Sequence, residues 1–183
     1  MIIGLTGTNA SGKGSAADYL REKGFRTYSL SDELRYLMRK RKIPTTRENF
    51  IKYGRYFREK HGNGYLAKKA IARIKGYAVI DSIRNPGEIA ELRKNKNFFL
   101  ISFDAPVKIR FERSRKRGSK RDEKTLAEFI AKEKEELRGK GSSQQILACM
   151  AKADFKVNTK EGYAKLYKKL DDILTRLGYD SKR

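Results

Sequence analysis

The sequence predicts an α/β fold of three layers, a central parallel sheet flanked by helices, with a helical lid. Three observations carry this expectation. Short apolar runs without polar alternation recur along the chain, as strands buried on both faces require. Helical patterns separate those runs, so strand and helix alternate throughout. The first apolar run breaks into a glycine-rich turn and then into a helical pattern.

Each element has its own signal. Residues 2–6 form a strand, and residues 15–23, with Ala16, Ala17, Tyr19 and Leu20, form a helix that Gly24 ends. Residues 25–30 are a second strand, and Ser31 is placed to cap a helix from about Asp32 to Arg41. Beyond Pro44, residues 46–60 carry Phe50, Ile51, Tyr53, Tyr56 and Phe57 at helical spacing and stop at His61-Gly62-Asn63-Gly64. A helix over 65–74 follows, then a strand over 77–80 that terminates at Asp81. Residues 86–94 are helical, 98–103 are an apolar strand, and 107–117 are helical again. Residues 118–145 are the most charged stretch and read as a helical lid, with Lys132-Glu133-Lys134-Glu135-Glu136 as a solvated face. Cys149 lies among Ile146, Leu147, Ala148 and Met150 on a further helix, as a small core residue. Residues 153–157 are the last strand, and 163–177 a closing helix with Leu166, Leu170, Ile173, Leu174 and Leu177 on one face.

A chain of 183 residues suits one domain, with residues 118–145 as the lid. No apolar run approaches the ~20 residues that a membrane-spanning helix needs. The opening segment lacks the basic lead-in and h-region of a signal peptide, so a cytoplasmic location and no membrane partner are expected. One cysteine and one histidine, His61, exclude an internal disulfide and argue against zinc and haem. The formal charge of +22 favours polyanionic partners, and RNA stays open as a partner of the basic surface.

Gly7-Thr8-Asn9-Ala10-Ser11-Gly12-Lys13-Gly14-Ser15 lies between the first strand and the first helix. In that context backbone amides and the helix N-terminus cradle phosphates, and Lys13 bridges the β- and γ-phosphates of ATP. Gly14 stands where G-x-x-x-x-G-K-[ST] has a hydroxyl, so Ser15 is expected to act on Mg²⁺ through water. Asp81, at the end of a buried strand, is the carboxylate expected to orient Mg²⁺, and Arg84 follows within reach of a phosphate. Arg110, Arg113 and Arg117 fall at i, i+3 and i+7 on one helix face. The planar arginine fork binds phosphate oxygens bidentately and stacks on bases.

The Gly-Lys-Gly-Ser ending resembles the Gly-Lys-Gly-Thr of adenylate kinase and its relatives, and the chain looks like a member of the P-loop nucleotide-kinase superfamily. Leu30-Ser31-Asp32-Glu33-Leu34-Arg35 resembles the adenylate-kinase segment whose arginine meets the acceptor phosphate, which implies acceptor binding by Asp32 and Arg35. Glu112-Arg113-Ser114-Arg115-Lys116-Arg117 resembles the lid-entrance segment, which implies that Arg113 covers adenine and Arg117 reaches the ATP phosphates. Phe155-Lys156-Val157-Asn158 resembles the strand whose following loop lies against adenine, with Asn158 a candidate there. Asp81-x-x-Arg84-x-x-x-Glu88, in which Glu88 would pair with an arginine, resembles a string in an archaeal family of nucleotide-kinase-like ATP-binding proteins. That likeness extends over nearly the whole chain, including Tyr56-Phe57-Arg58-Glu59-Lys60-His61-Gly62.

The resemblance implies Mg²⁺-dependent transfer of the ATP γ-phosphoryl to a nucleoside monophosphate or related nucleotide-like acceptor, with Lys13, Arg84, Arg113 and Arg117 catalytic. Arg35 and Arg84 would grip the acceptor phosphate. Two alternatives keep the fold: an ATPase acting on RNA or a ribonucleoprotein, and a dephospho-coenzyme A kinase.

Overall fold

A computed structural model describes residues 1–118 and 124–179. Strand β1 (Ile2–Gly7) runs through the glycine turn into α1 (Lys13–Glu22), followed by β2 (Arg26–Ser29), α2 (Leu30–Lys40), α3 (Arg47–His61), α4 (Tyr65–Ile71) and β3 (Ala78–Asp81). The chain continues through α5 (Pro86–Leu92), β4 (Phe98–Asp104), α6 (Val107–Arg117), α7 (Leu126–Leu137), α8 (Ile146–Ala151), β5 (Phe155–Asn158) and α9 (Tyr163–Arg176). The strands form one sheet in the order β2-β3-β1-β4-β5, and every pairing is parallel. β1 is central, with Ile3 opposite Val79 on one side and Phe99 on the other.

Alternate strand residues serve opposite faces. Ile2, Ala78, Ile80, Phe98 and Leu100 join a core with Leu34 and Met38 of α2, Phe57 of α3, Leu66 of α4, Ile89 of α5 and Cys149 of α8. Ile3, Leu5, Val79, Ile101 and Phe103 join a second core with Ala16 and Leu20 of α1 and Leu166 and Leu170 of α9. The predicted three layers are present. Because β1 and β3 are hydrogen-bonded neighbours, their carboxyl ends open side by side and bring the glycine turn next to Asp81.

Several local expectations are corrected. α2 begins at Leu30, and its cap position is Ser29, not Ser31. Leu30 and Leu34 are both buried, one turn apart, so core packing of the first turn prevails over the cap preference of serine. α4 ends at Ile71, short of residue 74, and its tail closes in tight turns from Arg73 and Ile74 to the carbonyls of Ala70 and Ile71. Of the proposed lid, residues 119–123 lie outside the described ones, and the helix within the rest is α7, capped by Thr125 and Glu128.

The solvated face expected of α7 is also corrected. Phe129, Glu133 and Glu136 fall at i, i+4 and i+7, and all three are buried. Phe129 packs edge-on against Phe111 of α6, with ring centroids 5.8 Å apart. Glu133 takes both ends of the Arg110 guanidinium, and Glu136 accepts from Arg84 at 3.1 Å. Burying Arg110 and half-burying Arg84 requires partnered carboxylates, and α7 supplies them.

Candidate active site

The glycine turn is tied down on every side. Thr8 Oγ1 donates to Asp104 at 2.7 Å, Thr6 Oγ1 to the Ile83 carbonyl at 2.9 Å, and Thr159 Oγ1 to the Ser11 carbonyl at 2.9 Å. Gly7 has φ 137°, and a Cβ there would stand 2.0 Å from the Phe103 carbonyl oxygen, so no side chain fits. Gly12 turns through the left-handed region into α1, which has no side-chain cap and no acidic residue in its first turn. Helices α3, α5 and α7 instead have their amides met by Thr46, Asn85 and Thr125. Helices α2, α4, α6, α8 and α9 also lack a side-chain cap, but the uncapped first turn of α1 lines the cavity along the glycine turn, where its amides and the helix dipole suit an anion.

Lys13 curls back over this cradle and donates to the Gly7 carbonyl at 3.0 Å, the Thr8 carbonyl at 2.6 Å and Ser11 Oγ at 3.4 Å. Burial strips water from its ammonium and lowers its pKa from 10.5 to about 8; Asp81 and Glu136 oppose the change, and Arg84 and Arg110 add to it. The unfolded chain holds this proton to higher pH, so Lys13 makes the fold more stable as pH rises through this window. The activity that the sequence predicts should move the opposite way. A neutral amine cannot stabilise phosphate, so for ATP held in this loop kcat/KM should fall above pH about 8, by about tenfold per unit once the limb is established. Bound phosphates restore the charge, and the kcat limb should lie at higher pH. A kcat/KM profile flat to about pH 10 would contradict this assignment of Lys13.

Asp81 ends β3 beside the cradle, and its Oδ1 is buried without a hydrogen-bond partner. A carboxylate oxygen so placed needs a cation or ordered water. Ser15 lines the same cavity from the first turn of α1. One carboxylate oxygen and one hydroxyl beside a phosphate cradle fit Mg²⁺, which is held by one or two protein oxygens plus substrate phosphates and keeps its waters. Ser82, next in the chain, has φ 65°, a strained value for a non-glycine residue beside a site.

Two cavities meet here. The larger, about 540 Å³, runs along Gly7 and the stretch from Asn9 to Ser15, with Asp81, Arg113, Lys116 and Tyr163. The other, about 240 Å³, has an apolar wall from Leu30, Leu34, Phe50 and Ile51, with Arg35 and Arg58. Asn9, Ser82, Arg84, Arg117 and Glu136 line both.

Most residues singled out from the sequence therefore converge. Arg113 donates to Thr159 Oγ1 and its carbonyl, at 2.8 and 2.6 Å, which fixes it at the rim of the large cavity. Arg84 is held by Glu136 and by Gln144 at 2.8 Å. Arg35 lies over the Phe50 ring at 5.3 Å. Four residues stand elsewhere. Arg110 lines neither cavity and is buried against Glu133 and the Ala105 carbonyl, so only Arg113 and Arg117 of the predicted arginine face reach the site. Asp32 is exposed, lines neither cavity and pairs with Arg35, so it orients that arginine. The Thr8 hydroxyl is committed to Asp104, which leaves its backbone to serve the cradle. Asn158 closes a turn onto the Lys160 amide and is exposed, and Thr159 is the residue that faces the loop.

The sequence reading missed Arg58, Thr159, Glu136 and Gln144. Glu136 had a usable signal, since it shares a helix face with Phe129 and Glu133. Glu88 does pair with an arginine: it is fully buried and accepts from Arg58 Nε at 3.0 Å and Nη2 at 2.9 Å. Cys149 is buried in the core, and burial pushes its thiol up to about 12, far from a thiolate nucleophile.

Parallel sheet, uncapped glycine loop, buried lysine and arginine-lined cavities together define a nucleotide-binding protein of the P-loop kinase-like class. The chain belongs to the AAA-domain family, whose model matches residues 3–138, and to the UPF0200 proteins. The UPF0200 protein of Pyrococcus horikoshii is 33% identical over 186 residues, covering 97% of both chains. Among solved structures, TT1252 of Thermus thermophilus superposes with a TM-score of 0.65 at 17% identity over 97% of each chain. Shikimate kinase of Aquifex aeolicus gives a TM-score of 0.53 at 18% identity over 96% of this chain and 97% of its own. These two likenesses concern the fold. No described helix is long and apolar enough to cross a membrane.

Proposed function

We propose that the chain is an ATP-dependent phosphotransferase that moves the γ-phosphoryl group to a nucleoside monophosphate or related nucleotide-like acceptor. The observation that carries this reading is the junction of the two cavities at Asn9, Ser82, Arg84, Arg117 and Glu136, which leaves room for a donor on one side and an acceptor on the other. In-line transfer needs both partners held at such a boundary, with cations around the moving group. ATP phosphates occupy the cradle, where the α1 amides, Lys13 and Arg117 neutralise them and Arg113 covers the base. Arg84 faces both substrates. Asp81, and Ser15 through water, would hold Mg²⁺, which would supply charge neutralisation on the phosphates. Residues 31–64 form the acceptor arm, and Arg35 meets the acceptor phosphate against the apolar wall.

An ATP-consumption screen tests the reading, with ribo- and deoxyribonucleoside monophosphates, dephospho-coenzyme A and RNA as additions, with and without Mg²⁺. Acceptor-dependent, Mg²⁺-dependent ADP formation is expected. Consumption stimulated by RNA alone, with steep salt dependence, would instead favour an RNA-linked ATPase.

Residues 118–145 serve as the lid. Hydrogen exchange over residues 124–145 should slow when ATP binds, because phosphate neutralises the facing cations. Arg117→Ala should lower kcat more than it raises KM for ATP, the mark of a contact that tightens in the transition state. Unchanged ATP kinetics in this variant would remove Arg117 from the mechanism.

A further inference from the structure

We propose that Glu136 is the general base of the transfer, and that the attacking group is accordingly a hydroxyl of the nucleotide-like acceptor rather than its phosphate. This rests on the phosphotransferase reading above and specifies which atom of the acceptor reacts. Transfer has to occur where the cavities join, and among the described residues Glu136 is the one carboxylate that lines both. Around it the cavities carry Lys13, Arg35, Arg58, Arg84, Arg113, Lys116 and Arg117, with Asp81 as the other carboxylate, beside the cradle. A fixed negative charge at that junction repels an incoming phosphate and weakens the cationic field that the γ-phosphoryl needs. Acceptance of a proton from an attacking hydroxyl is a task that a carboxylate there can perform.

Two further observations separate this role from a purely structural one. Glu133, one turn earlier on α7, lines neither cavity and grips Arg110 with both oxygens; it is the structural pair of this helix. Glu136 reaches the junction, where Arg84 Nη1 donates both to it at 3.1 Å and to Gln144 Oε1 at 2.8 Å, so the arginine that orients the carboxylate is itself held. Moreover, Arg35 lines only the acceptor cavity, away from the donor cradle, whereas Arg58 there is spent on Glu88 and the Ser142 carbonyl. A cation on the acceptor side and a carboxylate at the junction orient an acceptor with its phosphate outward and a hydroxyl toward ATP.

The step balances without a further reagent. The hydroxyl oxygen forms a bond to the γ-phosphorus, and the bond from that phosphorus to the β–γ bridging oxygen breaks with its electron pair leaving on ADP. The hydroxyl proton passes to the Glu136 carboxylate and from there to solvent. The product is a phosphomonoester, so a nucleoside monophosphate would become a bisphosphate and not a diphosphate.

Phosphorus NMR of the products separates the possibilities with the full-length chain. Mg²⁺-ATP is incubated with each nucleoside monophosphate, its deoxy counterpart and dephospho-coenzyme A. A new phosphomonoester resonance is expected alongside ADP. A new phosphoanhydride on the acceptor would overturn the inference and leave the phosphotransferase reading standing, whereas transfer to none of them would overturn both. In Glu136→Gln, which keeps a hydrogen-bond acceptor for Arg84, kcat should fall by roughly 10²-fold or more with KM for ATP changed by less than about threefold. A variant that transfers at the original rate or faster would overturn the assignment and mark Glu136 as a place-holder for acceptor phosphate.

Discussion

Lys13→Ala is expected to reduce ATP turnover by roughly 10²-fold or more, since loss of one group that stabilises developing charge costs about 2.7–4 kcal/mol in the transition state. The same substitution should leave the fold intact. The Lys13 ammonium is spent on two carbonyls and a hydroxyl of its own loop, and its lowered pKa shows that burial disfavours the charge. Far-UV circular dichroism and thermal melting of the variant should therefore match the original chain within a few degrees, while steady-state ATP kinetics collapse. Phosphate oxygens have to compete with those carbonyls for the ammonium, so weakened ATP binding should accompany the rate loss. Full turnover in Lys13→Ala would remove the glycine loop as the phosphate site.

Glu88→Ala should produce the largest loss of stability of any single change at the site. Its carboxylate has no exposed surface, and besides Arg58 it accepts from the backbone amides of Arg84 at 2.8 Å and Asn85 at 3.1 Å. Removal leaves the buried Arg58 guanidinium without its carboxylate and breaks the capping box of α5. Breaking a buried pair from one side costs about 3–5 kcal/mol. For a chain of this size each kcal/mol is worth about 2–4 °C, so melting should fall by roughly 6–20 °C. Arg58→Met should cost less, because Glu88 keeps its two backbone donors and methionine restores apolar packing. Equal losses in the two variants, or a loss under about 1 kcal/mol for Glu88→Ala, would show that the α3–α5 seam is held by something else.

These two sites also show what a sequence alone can reveal. The loop at Gly7 was legible because its glycines, its lysine and the flanking strand and helix are local features, and local geometry suffices to build it. Helix α6 was legible to its last residue, because a left-handed Gly118 follows a basic last turn. The start of α2 was not, since burial of Leu30 against the sheet is a tertiary effect that a serine cap signal cannot register. Arg58, Thr159 and Glu136 were missed for a related reason. Each acts through a partner far along the chain: Glu88 is 30 residues from Arg58, Ser11 is 148 from Thr159, and Arg84 is 52 from Glu136. Charge runs misled the reading of α7, where Lys132 to Glu136 suggested one solvated face; Lys132 and Lys134 are exposed, but Glu133 and Glu136 are buried. Phe129 was the corrective, since one buried aromatic defines the face on which Glu133 and Glu136 also lie.

The destination of the γ-phosphoryl group tests the central claim most directly. ATP labelled at the γ-phosphorus is incubated with Mg²⁺ and the acceptor panel, with and without RNA, and label is followed into organic acceptor or inorganic phosphate. The account predicts label in an acceptor, dependent on Mg²⁺, indifferent to RNA and lost in Lys13→Ala. Label released only as inorganic phosphate, and only when RNA is present, would contradict it.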